Sequence, residues 1–224
     1  MNYFFGTDEL GRSLFVRIWW GARISLFIGV SAALLDMAIG VFYGGFAALL
    51  GGKIDEVMMR GADMLYSLPH LLIVILLTVI MEQGITTIII AMTLTGWISM
   101  ARIIRSQILS LKEQDFVTAA KALGASNIRI LVRHLIPNCF GAMITTVTLT
   151  IPHAIFTEAF LSFLGLGVQA PIASWGTMAS DGLPALSFYP WRLFFPAAFI
   201  SITMLAFNLL GDGLRDAFDP KVEA

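Results

Sequence analysis

Five stretches of this chain are apolar over lengths that a bilayer hides more readily than a small core does. They run over Ile24–Leu50, Tyr66–Met81, Ile85–Ile104, Phe140–Leu166 and Leu193–Leu210. About 20 helical residues cross the hydrocarbon layer, so all five read as spans, the second a short one. The rest of the chain cannot offset this greasiness. Only 13% of its 224 residues are charged and 58% are hydrophobic, whereas an ordinary soluble domain carries about 25% charge. The spacing predicts an all-α polytopic membrane protein with about five transmembrane helices. A net charge of −1 supplies no basic field for nucleic acid.

The second stretch begins at Ser67-Leu68-Pro69, where Pro69 suits a first helical turn. Glu82-Gln83-Gly84 is a tight polar break that makes the second and third spans a hairpin. Span parity puts the loops 51–65 and 105–138 and the tail 211–224 on one side. That side holds Lys53, Arg60, Arg105, Lys112, Lys121, Arg129, Arg133, Arg215 and Lys221, against Arg192 alone in the opposite loops 82–84 and 167–192. The positive-inside rule makes the first set cytosolic. Residues 1–23 are then an extracytoplasmic or interfacial segment, ahead of a transmembrane domain over 24–224. That segment carries Arg12, Arg17 and Arg23, yet its opening MNYFFGTDELGRS has no basic and apolar targeting pattern. The expectation is a further span ahead of this sequence.

One segment breaks the pattern. DFVTAAKALGASNIRILVRHLIPN, residues 115–138, is too charged to insert in lipid. Phe116, Ala119, Ala120 and Leu123 fall at i, i+3, i+4 and i+7, one stripe of a helix. Gly124 fits the left-handed position after a helix end. Ser126 can cap a second helix with the stripe Ile128, Leu131, Val132 and Leu135, which Pro137 ends. Periodicity alone allows a solvated elbow between spans or a docking element whose small residues admit a partner.

The spacing of Ala119, Ala120, Gly124 and Pro137 resembles the "EAA" loop of permease subunits in bacterial ATP-binding-cassette importers, with Thr118 standing where that loop has Glu. GTDELGRSLFVRIWWGARISL, GGKIDEVMMRGADMLYSLPHLLI, FLSFLGLGVQAPIASWGTM and NLLGDGLRDAFDP resemble the permeases that import dipeptides, oligopeptides and nickel. The resemblance implies six spans in a full subunit and residence in the bacterial inner membrane. It implies a coupling loop over 112–138 that docks on an ATPase, through Phe116, Thr118, Ala119, Ala120, Gly124, Ala125 and Pro137. The implied partners are a second homologous permease, two ATPase subunits holding ATP and Mg, an extracytoplasmic substrate-binding protein and membrane lipid. Peptides are the expected cargo, with nickel import or proton-coupled secondary transport as alternatives.

Nothing in the sequence frames catalysis in this chain. The best Gly-rich stretch, GGFAALLGGKI, puts Ala47 where a P-loop needs Gly and Ile54 where it needs Ser or Thr. His70, His134 and His153 lie in separate elements, with no metal-ligand spacing, and Cys139 is the sole cysteine. No cofactor is expected in the chain itself. Ionisable groups within spans are costly, which makes Asp36, His153 and Glu158 candidates for the pathway or a gate. Asp36 equally fits a pairing with a neighbouring span. Pro152 suits a kink, and Thr145, Thr146, Thr148 and Thr150 suit back-bonding or a wet pathway. Asp55, Arg60 and Asp63 are placed to salt-bridge the coupling region. The loop 167–192 reads as an ordered element with interfacial aromatic rings, or as the face that receives substrate.

Overall fold

A computed structural model describes residues 3–169 and 171–218. Its elements are α1 (Leu14–Leu50), α2 (Gly52–Tyr66), α3 (His70–Ile80), α4 (Ile85–Leu111), α5 (Asp115–Ala122), α6 (Asn127–Ile130), a π turn (Leu131–Leu135), α7 (Ile136–Asn138), α8 (Phe140–Phe163), α9 (Trp175–Gly182) and α10 (Trp191–Phe218). The all-α expectation holds. Helices α1, α4, α8 and α10 are long and apolar enough to cross a membrane, and α2 with α3, bent by 73°, would make a fifth span.

Several boundaries differ from the sequence reading. Helix α1 starts at Leu14, not Ile24, and its 37 residues are about 55 Å long at 1.5 Å per residue. Its early arginines do not stop it, because both have local partners. Arg17 reaches Asp8 at 2.8 Å, and the Arg23 guanidinium lies 4.6 Å from the centre of the Trp20 ring. The supposed loop 51–65 is helix α2. Helix α3 has only 11 residues, and Pro69 sits just ahead of it rather than in its first turn. Proline disfavours helical geometry in the residue before it, so α2 ends at Tyr66 and a new helix starts at His70. Helix α4 runs on past Ile104 to Leu111, and α10 carries the expected tail as far as Phe218. Lys221 lies outside the described residues.

The chain divides into two compact units: Met1–Ala33, Leu71–Met92 and Leu149–Leu209 in the first, and Leu34–His70, Thr93–Thr148 and Leu210–Ala224 in the second. The first is built on Ile28, Ala32, Val74, Ile88, Met92, Ala154 and Leu161. The second is built on Val41, Ala48, Met100, Ile104, Ile108 and residues of the charged segment. Within it, α1 and α4 touch backbone to backbone. A Cβ at Gly44 would run into the Ala101 carbonyl, and one at Gly40 would come within 2.7 Å of the Trp97 carbonyl oxygen. Three ion pairs brace α2. Arg105 grips Asp55 with Nε at 2.5 Å and Nη2 at 2.7 Å, Arg102 meets Asp63 at 2.6 Å, and Arg60 pairs with Glu56 at 2.5 Å. The expected bridge from Asp55, Arg60 and Asp63 to the coupling region is thus a bridge to α4 for the two aspartates and a local pair for Arg60.

The α1–α4 contact carries a test. Gly44→Ala forces a methyl against a carbonyl that cannot yield, and overpacking of this kind costs about 1–3 kcal/mol. The thermal unfolding midpoint in detergent should fall. Gly213→Ala, where no atom lies within 4 Å of the added carbon, should leave it unchanged or raised.

Candidate functional site

The charged segment is a helix–turn–helix, as the pattern predicts. Helix α5 ends in a Schellman motif: Ala125 N–H donates to the Ala120 carbonyl at 3.0 Å and Gly124 N–H to the Lys121 carbonyl at 2.9 Å. Gly124 sits at φ +81°, the left-handed conformation that a side chain resists. Ser126 caps α6, its hydroxyl accepting from the Arg129 N–H at 3.4 Å. Pro137 does not end the second helix. It lies inside α7, after a π turn over Leu131–Leu135. The widened turn carries the chain to a residue that has no N–H to give, and Asn138 Nδ2 donates back to the His134 carbonyl at 2.6 Å.

The two stripes are split between core and outside. Val117, Ile130, Leu131, Leu135 and Cys139 point into the core of the second unit, with Ala120 and Ala125 half-buried beside them. Phe116, Thr118, Ala119 and Gly124 are exposed, as is Pro137. Leu123, Ile128 and Val132 are 89%, 61% and 58% exposed, so an apolar strip faces outward on a segment too charged for lipid. Ala120 therefore belongs to the support beneath this strip.

Asp36, His153 and Glu158 each have their own surroundings. Asp36 belongs to the second unit, the other two to the first. The Asp36 carboxyl is pressed against Gly96 of α4, where a Cβ would collide with it, and its Oδ1 has no hydrogen-bond partner. His153 is exposed on α8 and its carbonyl accepts from Thr157 at 2.9 Å. The α8 threonines bond back to the helix: Thr145 to Gly141 at 3.0 Å, Thr146 to Ala142 at 2.7 Å and Thr148 to Ile144 at 2.6 Å.

Glu158 is wholly buried and fully engaged. Ser25 of α1 donates to Oε2 at 3.0 Å and Ser162 to Oε1 at 2.7 Å. Ser25 in turn accepts the Trp175 N–H at 3.2 Å, and Trp175 Nε1 donates to the Ile18 carbonyl at 3.0 Å. Ser174 and Thr177 close a capping box at the head of α9. Glu158 thus holds α1, α8 and α9 together. Trp175 is a buried anchor rather than an interfacial ring; Phe188, Tyr189 and Trp191 are the exposed aromatics of that region. The sequence reading missed this knot. The Glu158/Ser162 spacing of one helical turn was visible, but Ser25 and Trp175 are remote in sequence.

A second polar cluster, absent from the sequence reading, surrounds the start of α1. Asp8 accepts from the N–H groups of Leu10 at 3.0 Å and Arg12 at 2.8 Å, and from the guanidinium groups of Arg12 at 2.6 Å and Arg17 at 2.8 Å. Burial pushes its carboxyl pKa up, but the donors and charges of Arg12 and Arg17 outweigh that and leave it below the usual value. Among the described residues, no three of His, Cys, Asp and Glu gather where they could hold a metal ion.

Three comparisons bear on what this architecture is for. The family model of the binding-protein-dependent transport system inner membrane component matches residues 39–224. The oligopeptide transport system permease protein OppC of Bacillus subtilis (strain 168) is 63% identical over 221 residues, covering 99% of this chain and 72% of the relative. The dipeptide transport system permease protein DppC of the same organism is 61% identical, covering 99% of this chain and 69% of the relative. OppC of Escherichia coli (strain K12) is 48% identical, with 98% and 73% covered. A chain from inward-facing structures of the MetNI methionine ABC transporter superposes with a TM-score of 0.74 at 15% identity, covering 92% of this chain and 98% of that one. At that identity the likeness speaks for the fold.

The Glu158 knot yields a prediction that separates a brace from a gate. Glu158→Leu leaves the Ser25 and Ser162 hydroxyls buried without their acceptor, at about 1–3 kcal/mol each. The unfolding midpoint should drop, and limited proteolysis should cut between residues 164 and 190. Glu158→Gln keeps an acceptor and should be milder. Altered transport by Glu158→Leu at unchanged stability and protease resistance would overturn the brace.

Proposed function

This chain belongs to the family of binding-protein-dependent transport system inner membrane components, and on that premise we propose that it forms part of the membrane pathway of an ATP-driven peptide importer. It is a multi-pass protein of the bacterial cytoplasmic membrane. Peptides are its cargo in this reading because its relatives are named as oligopeptide and dipeptide permeases. Nickel transport and proton-coupled carriage have no such support. The chain itself does no chemistry in this reading; ATP and Mg are bound by two partner ATPase subunits. A second, homologous permease completes the pathway, and an extracytoplasmic binding protein delivers the cargo.

The outward apolar strip on the charged helix–turn–helix carries the proposal. Leu123, Ile128 and Val132 face away from the core on a segment that holds Lys121, Arg129 and Arg133. Exposed apolar residues framed by charge mark an interaction surface, and a protein groove covers such a strip in this reading. The segment lies on the cytosolic side by the distribution of Lys and Arg. A groove in an ATPase subunit would cover the strip, and closure of the ATPases would push on it. Val117, Ile130, Leu131 and Leu135 root it in the core, so that a push reaches α1 and α4 through Val41, Ile104 and Ile108.

The strip can be tested without breaking its support. Leu123→Asp and Ile128→Asp alter side chains that this chain leaves exposed, so expression and thermal stability should stay normal. Each should cut co-purification of the ATPase subunits and ATP-driven peptide uptake in proteoliposomes by at least tenfold. Ala120→Arg is a poorer probe, because Ala120 packs against the core and its loss would damage the permease itself. Normal uptake by the Leu123→Asp and Ile128→Asp proteins would reduce the segment to an elbow. Uptake that needs a proton gradient and no ATP would overturn the importer reading.

A further inference from the structure

Helix α1 ends without a cation of its own. Its last turn holds no basic residue, and the next one along the chain, Lys53, is exposed. The last four carbonyls of a helix lack partners within it and carry the negative end of its dipole. The Ala47 carbonyl accepts the Gly51 N–H at 3.0 Å, where Gly51 and Gly52 turn the chain away at φ +65° and +54°. The Ala48 carbonyl is met from outside the helix, by Lys112 Nζ at 2.8 Å. Lys112 is half-buried, directly after α4 and three residues before α5. Seven residues earlier, two turns back along the same face of α4, Arg105 holds Asp55 of α2. The corner where α1 passes into α2 is therefore gripped by two cations, one on α4 and one at the root of the charged segment.

These two grips bear on how a push on the segment travels. The chain joins the segment to α4 before it and α8 after it, so α1 follows it only through contacts. Ala48 shares an apolar core with Val117, Ile130 and Leu131 of the segment. Such packing has no preferred direction and lets one surface slide along another. A carbonyl at a helix end points along the axis, so the bond from Lys112 holds α1 lengthwise. We infer that Lys112 is a positioning residue for coupling: it ties the end of α1 to the base of the ATPase-docking segment, so that a displaced segment carries α1 along its axis. The inference rests on the importer reading, which supplies the push.

The test uses the importer assembled with its ATPases and binding protein in proteoliposomes, supplied with a mixed pool of short labelled peptides. Peptide taken up per ATP hydrolysed is the readout. Lys112→Met keeps the stem and removes the donor, and should lower that ratio about fivefold or more. ATPase subunits should co-purify as before, because Leu123, Ile128 and Val132 are untouched. Lys112→Arg keeps a cationic donor and should hold the ratio within twofold of the unmodified protein. Ile88→Val, in the core of the first unit, controls for stability: its thermal midpoint should fall while its ratio stays within twofold. Lys112→Gln, shorter and uncharged, takes the place of the Met protein if that one does not assemble, with the same loss expected. An unchanged ratio in Lys112→Met overturns the tie and leaves the importer reading standing. So does a loss that Ile88→Val shares, or one that Lys112→Arg fails to repair. Lost co-purification overturns it as well, because Lys112 would then belong to the docking surface. Uptake by the unmodified protein without ATP overturns both.

Discussion

The second unit depends on the close approach of α1 to α4, tightest where Gly44 meets the Ala101 backbone. In lipid, apolar surface gains little by leaving the solvent, so helices associate through close van der Waals packing and polar contacts. Gly40 and Gly44 on α1 and Gly96 on α4 remove the Cβ atoms that would hold the two helices apart. The remaining features of that unit are set by this approach. It buries Asp36 against Gly96, and it places Ala62, Trp97, Ile98 and Ala101 where α2 can pack. The Asp55–Arg105 and Asp63–Arg102 pairs then fasten α2 to the part of α4 that leads toward the charged segment.

In the first unit the corresponding role falls to polar groups. Glu158 is fully buried, and Ser25 and Ser162 donate to its two carboxyl oxygens. The same serine that feeds Glu158 accepts from the backbone of Trp175. A carboxylate that resembled a pathway residue in the sequence is therefore the fixing point of α9. Through Ser25 the bonded set joins α1, α8 and α9, so none of them can shift without leaving a buried polar atom unmet.

Local signals in the sequence were read correctly where their physics is local. The Gly124 turn, the Ser126 cap and the charge excess of 115–138 each depend on a few neighbouring residues. The long apolar stretches gave the spans for the same reason. Boundaries shifted where distant contacts decided them: Arg17 looks like a helix stop until Asp8 folds back on it. Which face of α5 roots in the core is not legible locally, because its 8 residues make little more than two turns. Phe116 and Val117 lie one step apart, and only the core of the second unit determines that Val117 turns inward. Composition suits the aromatic loop 167–192 to the interface, yet Trp175 within it is buried and donates to the Ile18 carbonyl, 157 positions away. The cluster at Asp8 was illegible for the same reason. Asp181 and Arg192 join Asp8 and Arg17 only in three dimensions.

The π turn over Leu131–Leu135 holds a further consequence. Such a turn is an α-helix with one residue too many, and each added residue rotates the downstream helix by about 100°. Leu123 and Ile128 before it and the helix that follows it are thus phased by a single position. Lineages that gain or lose one residue here would keep the flanking side chains yet aim the strip at a different neighbour. Interface geometry in this chain is adjustable by length as well as by identity, and comparison by substitution alone would overlook that freedom.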